Sequence, residues 1–361
     1  MSDQAESPDI PKGNAYRDAG VDIDAQEDAL GRIKAIVKST ATEGVLADIG
    51  SFGGLFRPSL EGVSEPVLVA SADGVGTKLM VAKMMGDFTT VGQDLVNHCV
   101  NDILVQGATP LFFLDYVGAG VLEPESLEAL VSGVAAGCRE NGCALLGGET
   151  AEMPGFYQAG DYEVVGFIVG LLDRGSMLGS ARVRPGDVLL GLPSSGLHTN
   201  GYSLARKVLF EDMGLGVHDP LPSAPDGPTV GQRLLEVHRT YLPALRQLLD
   251  HPGLHGLAHV TGGGLTDNLP RSLPEGTCAV VDTGAWEVPE IFRVIEEEGE
   301  ISRAEMLRVF NMGVGMVLIV DAGSTESIMA MLQRNGETPC LIGRVETGAG
   351  DVVYRRKGPE T

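Results

Sequence analysis

The chain has 361 residues and a formal net charge of −23, from 49 acidic and 26 basic residues. A chain of this length can form two domains that each bury a core. A surface this negative repels nucleic-acid backbones and anionic lipids, which excludes both as partners. The polar N-terminus and the lack of an apolar stretch of about 18 residues predict a cytoplasmic protein without a membrane span. Five scattered cysteines without a CxxC pair argue against zinc and disulfides.

In chain order, the first half mixes helices and strands. Residues 1–14 are polar and contain two prolines, so we expect a disordered leader there. Apolar periodicity of 3.6 residues predicts helices, and short apolar or β-branched runs predict strands. The predicted helices are 26–38, 93–106 and 125–141, and the predicted strands are 67–73, 110–117, 143–147 and 162–172.

The second half begins near a turn at residues 184–187 and repeats this mixture. It has predicted strands at 188–192, 278–281 and 315–320 and predicted helices near 201–212, 232–249 and 289–297. Helices and strands do not alternate one for one, which favours α+β layers over a doubly wound parallel sheet. We expect domains at 15–175 and 176–347, with their boundary near 173–185 and a tail at 348–361.

Three acidic residues in the first half follow apolar runs and adjoin glycines or a helix end. They are Asp73, Asp102 and Glu149. Magnesium takes hard oxygen ligands, few of them from protein, and shares the rest with water and phosphate. Carboxylates in this setting therefore indicate a nucleotide-dependent enzyme with a magnesium site.

The predicted helix 93–106 carries one polar arc of Asp, Asn and His. Asp94, Asn97, His98, Asn101 and Asp102 fall on this arc at 100° per residue. A solvated face would ordinarily carry Lys, Glu and Arg. A carboxylate near the helix C-terminus also conflicts with the macrodipole, and a bound cation would remove that conflict. We therefore interpret the arc as part of the metal site.

Glycine-rich turns supply the candidate phosphate contacts. Bare backbone at Gly74 and Gly76 lets phosphate oxygens reach N–H groups, and Lys78 could add a point charge. The turn at Gly262–Gly264 follows a predicted strand that ends before Thr261, opens a predicted helix, and could bind an anion. His198 lies in a run of small and polar residues, which argues against a core histidine and leaves a solvated loop or a catalytic role.

The candidate residues fall into three sets. The catalytic candidates are Asp73, Lys78, Asp102 and His198, and the metal candidates are Asp73, Asp102 and Glu149. The candidates for nucleotide binding are Lys34, Gly74, Gly76, Thr77, Asn101, Gly147, Gly148, Thr150, Gly262, Gly263 and Gly264. GxxxxGK[ST], GxGxxG at a helix start and GxSxG are all absent, which disfavours P-loop kinases, Rossmann dehydrogenases and α/β-hydrolases.

Taken together, these segments closely resemble the phosphoribosylformylglycinamidine cyclo-ligase family, also called aminoimidazole ribonucleotide synthetases. The resemblance runs from residue 16 to about residue 345. Its most specific parts are residues 71–78, 99–102, 110–116, 147–155, 198–203 and 310–316.

The resemblance implies a two-domain synthetase fold. In it, the N-terminal sheet completes a barrel across a homodimer, and a C-terminal α/β sandwich domain packs beside it. It also implies ATP-dependent ring closure of formylglycinamidine ribonucleotide, with ATP and Mg²⁺ as cofactors and K⁺ as a further candidate. Asp73, Asp102 and Glu149 match the superfamily's metal and phosphate acids, and Lys34 matches a lysine near the nucleotide.

Other members of the ATP-binding superfamily are the nearest alternatives. Selenide-activating members carry a reactive Cys or selenocysteine near the N-terminus, whereas the first cysteine here is Cys99. The hydrogenase-maturation member ends in a cysteine, thiamine-phosphate kinases have a paired Asp-Asp motif, and the large amidotransferase relative is much longer. A non-catalytic nucleotide-binding scaffold is a further alternative, which predicts binding without turnover.

Overall fold

The computed structural model describes residues 23–47 and 53–356, with side chains from residue 31 onward. The predicted leader and the start of the family resemblance at residue 16 lie outside the described residues. The elements up to Asp173 form the first unit. They are α1 (Ile23–Lys38), β1 (Pro66–Gly74), α2 (Lys78–Met85), α3 (Thr89–Leu104), β2 (Thr109–Ala119), α4 (Pro124–Asn141), β3 (Ala144–Glu152) and β4 (Tyr162–Asp173).

The second unit contains the remaining strands and a set of mostly short helices. The strands are β5 (Val188–Pro193), β6 (Leu254–His259), β7 (Thr277–Asp282), β8 (Val314–Val320), β9 (Cys340–Thr347) and β10 (Val352–Arg355). The helices are α5 (Tyr202–Arg206), α6 (Val230–Leu234), α7 (Leu242–Leu245), α8 (Gly264–Asn268), α9 (Glu290–Glu298), α10 (Arg303–Val309) and α11 (Thr325–Arg334).

The first unit is built on a four-stranded sheet in the order β1-β4-β2-β3. β2 and β3 are parallel, while β4 is antiparallel to both of its neighbours. Helices α3 and α4 cover one face, where Phe113 and Ile168 are fully buried. The opposite face carries Leu68 at 66% and Phe167 at 44% exposure. Within the described residues, this sheet therefore has one face covered by helices and one apolar face that no other element covers.

Local sequence explains how α3 and α4 begin and pack. Asp87 accepts a hydrogen bond from the backbone N–H of Thr89 at the start of α3. Pro124 occupies the first turn of α4, where its missing N–H costs nothing. A Cβ on Gly92 would lie 2.2 Å from the carbonyl oxygen of Leu130. Only glycine there lets the two helices approach this closely and cover the sheet.

The second unit is a six-stranded sheet in the order β10-β7-β9-β5-β8-β6. Only the β10–β7 pair is parallel. Every residue of β8 is buried, because this strand is paired on both sides and each of its faces packs into a hydrophobic cluster. The two sheets with their helices confirm the predicted α+β class.

Most predicted elements of the chain form, and two predictions need correction. The helix predicted at 232–249 is instead α6 and α7, separated by an irregular segment. The predicted tail is shorter, because Val352–Arg355 pairs with β7 as a sheet strand. The sequence did not predict α2, which contains Lys78, and it placed a strand before Thr261 without bounds, where β6 forms.

All five cysteines are free, and four of them are buried. None of the helices in the described part of the chain is long and apolar enough to cross a membrane.

Candidate active site between the two units

A cleft of about 610 Å³ lies between the two units. One wall consists of β1 and α3, which contribute Asp73 and Asp102. The other wall consists of the end of β6, with His259, and the segment after it, with Thr261 and Arg271. Two predicted acids thus face a cleft that also involves the second unit.

Asp73 and Asp102 lie on either side of His98. His98 Nε2 is 2.8 Å from Asp73 Oδ2 and 3.8 Å from Asp102 Oδ2. Burial by itself would raise the pKa of Asp73, but the hydrogen bond and charge of His98 lower it below its ordinary value. The side chains of Asp73 and Asp102 are 42% and 26% exposed. The two carboxylates are therefore close together, ionised and open to the cleft.

Asp102 has hydrogen-bond partners from both units. Its Oδ1 is 2.8 Å from His259 Nδ1, and its Oδ2 accepts a bond of 3.1 Å from Ser71 Oγ. Burial raises the pKa of Asp102, but the bond to His259 outweighs it and the net shift is downward. His259 and Ser71 thus compensate the carboxylate near the end of α3. The sequence suggested a bound cation because a carboxylate near a helix C-terminus is disfavoured by the macrodipole. In the structure, these two hydrogen bonds already stabilise that carboxylate.

A chain of hydrogen bonds links His98 to His259 behind the two acids. His98 Nδ1 is 2.7 Å from Thr199 Oγ1, which is 3.2 Å from His238 Nδ1. His238 Nε2 is 3.0 Å from His259 Nε2. Burial lowers the pKa of His238 and of His259. Burial also acts to lower the pKa of His98, but its bond to Asp73 and the charge of Asp102 raise it on balance. The chain ends at Asp73 through His98 and at Asp102 through His259.

His198 lies beside this chain of hydrogen bonds and is only 1% exposed. Its ring stacks on His238 with the centroids 4.0 Å apart. Its Nε2 accepts a bond of 3.2 Å from the backbone N–H of Ser195, and its backbone φ is +61°. Burial lowers the pKa of His198 well below its ordinary value. The expectation that His198 avoids a core environment is wrong, because the second unit folds around it.

The polar arc of α3 is an interface between the two units. Asn97 Nδ2 donates to the carbonyl of His238 at 2.8 Å, and Asn101 Nδ2 donates to that of Arg239 at 2.8 Å. Asn101 Oδ1 accepts from the backbone N–H of Tyr241 at 3.1 Å. The arc is therefore not a solvated face, and Asn101 is occupied by the irregular segment after α6. Its predicted nucleotide contact has no support in this geometry.

Lys78 is fully buried between the units. Its Nζ is 2.7 Å from Asp94 Oδ2 and donates to the carbonyls of Glu236 at 2.7 Å and His198 at 3.2 Å. Burial lowers the pKa of Lys78 and raises that of Asp94, while their attraction opposes both shifts. This placement contradicts the prediction of a point charge for phosphate. Lys78 instead joins the segment after Asp73 to the second unit.

A second cleft of about 530 Å³ lies on the other side of Asp73. It is lined by Gly74, Gly76, Thr77 and Lys83 among others. Gly76 has φ +64°, and the space around its backbone is open, since a Cβ there would meet nothing within 4 Å. The predicted phosphate turn therefore lies beside Asp73, and Asp73 lines both clefts.

Glu149 is not brought to the other two acids. Register places Asp73 opposite Gly166, then Asp115, then Gly148, so three strand spacings separate the edge strands β1 and β3. At about 4.8 Å per spacing this is about 14 Å. Alternation along β3 also turns Glu149 to the uncovered face, away from Asp73. A metal site made of all three acids within one chain is wrong.

The other predicted residues of β3 follow the same strand. Gly147, Gly148 and Thr150 lie on it beside Glu149. A Cβ on Gly148 would lie 2.0 Å from Asp115 Oδ1, so this glycine makes room for a neighbouring side chain. Burial raises the pKa of Asp115 to about 7.

Lys34 and the turn at Gly262–Gly264 also lie apart from the acids. Lys34 lines a separate cavity of about 280 Å³ between α1 and β3. A Cβ on Gly264 would lie 2.1 Å from the carbonyl oxygen of Leu307, so that glycine serves packing. Asn268 Nδ2 donates to the carbonyls of Gly262 at 3.1 Å and Gly264 at 2.8 Å, which closes the turn. Of this region, Thr261, Asn268 and Arg271 line the first cleft.

Sequence reasoning missed Ser71, His259 and Arg271 as cleft residues. His259 ends the strand that was predicted before Thr261, but no signal marked it as a site residue, because β6 is short and buried along its whole length. His98 was on the predicted arc, but no local signal singled it out from its neighbours. Ser71 could have been predicted as a cleft residue, because it lies two residues before Asp73 on the same strand and therefore on the same face of the sheet.

Two family models match most of the chain. The model described as AIR synthase related protein, N-terminal domain, matches residues 60–172, and that of the C-terminal domain matches residues 184–356. A phosphoribosylformylglycinamidine cyclo-ligase of Shouchella clausii is 49% identical over 94% of this chain and 98% of its own length. One of Citrifermentans bemidjiense is 50% identical over 91% of this chain and 94% of its own length.

Solved structures of lower identity share the fold. Thiamine-monophosphate kinase from Stenotrophomonas maltophilia has a TM-score of 0.67 at 19% identity, covering 90% of this chain and 96% of its own. HypE of E. coli has a TM-score of 0.64 at 20% identity, covering 93% and 94%. Hydrogenase maturation protein HypE in complex with ATP has a TM-score of 0.62 at 20% identity, covering 91% of both chains.

Proposed function

Because the chain belongs to the phosphoribosylformylglycinamidine cyclo-ligase family, we propose that it closes the imidazole ring of aminoimidazole ribonucleotide at the expense of ATP. The substrate would be formylglycinamidine ribonucleotide, and ADP and phosphate would be released in this step of purine biosynthesis. The observation that carries the proposal is the likeness to named relatives along nearly the whole chain. It is supported by two adjacent carboxylates in a cleft between the units.

The chemistry explains why ATP is needed. An amide oxygen is a poor leaving group, so the γ-phosphoryl group of ATP is transferred to it and ADP departs. The neighbouring amidine nitrogen then attacks the activated carbon, and the C–N bond forms as phosphate leaves and a proton is lost. Because this closure is intramolecular, holding the two ends of the substrate in position supplies much of the rate.

Asp73 and Asp102 fit a magnesium site. Both carboxylates face the cleft, and among the residues that the structure describes neither has a Lys or Arg partner. His98 and His259 offer nitrogen, which magnesium disfavours, so they would remain hydrogen-bond partners that orient the acids. When bound, magnesium would offset negative charge on the phosphoryl group in transit.

Each cleft beside Asp73 has a separate role in this proposal. The open backbone from Gly74 to Thr77 would bind the phosphates of ATP, and the cleft shared with the second unit would hold the ribonucleotide. This division places Asp73 where the phosphoryl group passes from one to the other. Lys34 remains a predicted nucleotide contact, with its own cavity beside α1.

The uncovered face of the first sheet supports the proposed homodimer. Leu68 and Phe167 are 66% and 44% exposed on adjacent strands of that face. Apolar sheet faces of this kind mark interaction surfaces, and a second copy that completes a barrel would cover this face and the sheet edges. We expect sedimentation at sub-micromolar concentration to give a dimer and the Phe167→Glu variant to give monomer. Leu341→Glu, which alters an exposed leucine in the second unit, is the matched control.

One assay tests the proposed reaction. The pure protein is incubated with ATP, magnesium and formylglycinamidine ribonucleotide, and aminoimidazole ribonucleotide is measured. We expect product only when all three are present, with K⁺ added or omitted to test a monovalent cation. Binding of ATP without product would instead support the non-catalytic scaffold. The proposed cytoplasmic location is tested separately by fractionating cells.

A further inference from the structure

Arg271 has an unusual position in the first cleft. It lies in the short turn after α8, is exposed and lines the cleft that contains Asp73 and Asp102. Among the described residues it is the only Lys or Arg that lines this cleft. Most other arginines of the described chain lie near an acidic or carbonyl oxygen, whereas Arg271 has no ion pair or hydrogen bond there. Its guanidinium is therefore available to a ligand.

The charge of the cleft makes this availability significant. The chain has a net charge of −23, and the acidic side chains of Asp73 and Asp102 line the cleft. A phosphate monoester entering the cleft would be repelled unless a fixed cation faced it. The guanidinium matches phosphate with two parallel N–H donors, a geometry that a lysine does not provide.

Neighbouring polar groups are already engaged. The amide nitrogen of Asn268 donates to backbone carbonyls of the glycine turn, and Thr261 Oγ1 donates to Asn268 Oδ1 at 3.2 Å. Ser272 Oγ donates to the carbonyl of Leu257 at 2.7 Å. On this wall of the cleft, Arg271 is thus the residue whose N–H donors have no acceptor among the described residues. Asn268 and Ser272, through their hydrogen bonds, stabilise the turn that contains Arg271.

We infer that Arg271 binds the 5′-phosphate of the ribonucleotide substrate and so fixes which end of that substrate points away from Asp73 and Asp102. This inference rests on the proposed function, because the substrate class comes from it. It assigns to Arg271 the anion contact that the sequence suggested for the turn at Gly262–Gly264. The triphosphate of ATP is assigned to the other cleft, so Arg271 acts on one substrate and not on both.

The first test compares Arg271→Gln with the parent enzyme. Loss of a charge-assisted bond to phosphate should raise KM for the ribonucleotide about 10- to 100-fold and leave KM for ATP within about twofold. Arg271→Lys should recover part of the loss, since it keeps the charge without the planar donors. Arg293→Gln is the control, because Arg293 is exposed on α9 and lines neither cleft. An equal rise of both KM values, or none, would overturn the inference.

A binding measurement gives an independent result. Calorimetry compares aminoimidazole ribonucleotide with the corresponding riboside, which lacks the phosphate, on the parent and on Arg271→Gln. The parent should prefer the nucleotide by about 10-fold or more, and the variant should lose most of that preference. A variant that keeps the full preference contradicts the role of Arg271. Failure of the parent to bind or convert any ribonucleotide would instead contradict the proposed function, so the two failures are distinguishable.

Discussion

Asp94 and Asp102 lie two turns apart on the same side of α3 and have different environments. Asp94 is fully buried and bonded to Lys78, while Asp102 is 26% exposed and bonded to His259 and Ser71. The second unit contacts α3 at both positions but excludes solvent only at Asp94. The polar face of α3 therefore joins the two units near the N-terminus of the helix and lines the candidate active site near its C-terminus.

The largest loss of stability is expected at the buried pair of Lys78 and Asp94. Lys78→Met leaves Asp94 buried without its cation, which should lower the free energy of unfolding by about 3–5 kcal/mol. Urea unfolding measures this loss. Lys83→Met is the matched control, because the exposed Lys83–Asp161 pair should contribute about 0–1 kcal/mol. If Lys78→Met unfolds like the parent, the pair does not join the units.

A substitution at the partly exposed Asp102 should lower turnover and leave stability nearly unchanged. Asp102→Asn keeps the shape of the side chain and removes its charge, so kcat should fall about 100-fold, equivalent to about 2.7 kcal/mol. Urea unfolding of this variant should stay close to that of the parent. Steady-state assays over a range of magnesium concentrations test the assignment. Near-normal turnover with unchanged magnesium dependence would remove Asp102 from the metal site.

Low pH should destabilise the buried histidines that lie behind Asp73 and Asp102. Because burial lowers the pKa of His198 and His238, both stay neutral in the folded protein below their ordinary pKa of about 6.5. The unfolded chain binds these protons, so stability should fall as pH drops below about 6.5, by about 1.4 kcal/mol per pH unit for each such histidine. His98, whose pKa is raised, acts in the opposite direction and offsets part of this loss.

Urea midpoints at several pH values between 7.5 and 5.5 measure the slope. His238→Gln should reduce the slope, because it removes one histidine that the folded state keeps neutral. A parent protein whose stability is constant across this range would show that the buried histidines take up protons without unfolding.

The smallest change concerns the hydrogen bond that Ser71 gives Asp102. Ser71→Ala removes a bond of 3.1 Å to a carboxylate that keeps its bond to His259. We expect kcat to fall about fivefold, equivalent to about 1 kcal/mol, with little change in stability. A loss as large as that of Asp102→Asn would mean that Ser71 itself contacts a substrate.

Local pattern was sufficient for the elements that carry the acids. The apolar run before Asp73 and the periodicity before Asp102 predicted β1 and α3, because buried strands and amphipathic helices have distinct periods. The glycines after Asp73 predicted an open turn, and the structure has one at Gly76. The family resemblance, carried by several segments at once, is confirmed by relatives that match nearly the whole chain.

Only the tertiary structure decided which of these residues meet. Glu149 resembles Asp73 in its local sequence, yet strand order and alternation send it to the far edge and the other face of the sheet. Lys78 follows a phosphate-type turn, yet the second unit buries it against Asp94. His259 and Arg271 reach the cleft from about 160 residues away in sequence or more. Sequence periodicity fixes which face of an element is apolar, whereas strand order and the packing of two units determine what that face meets.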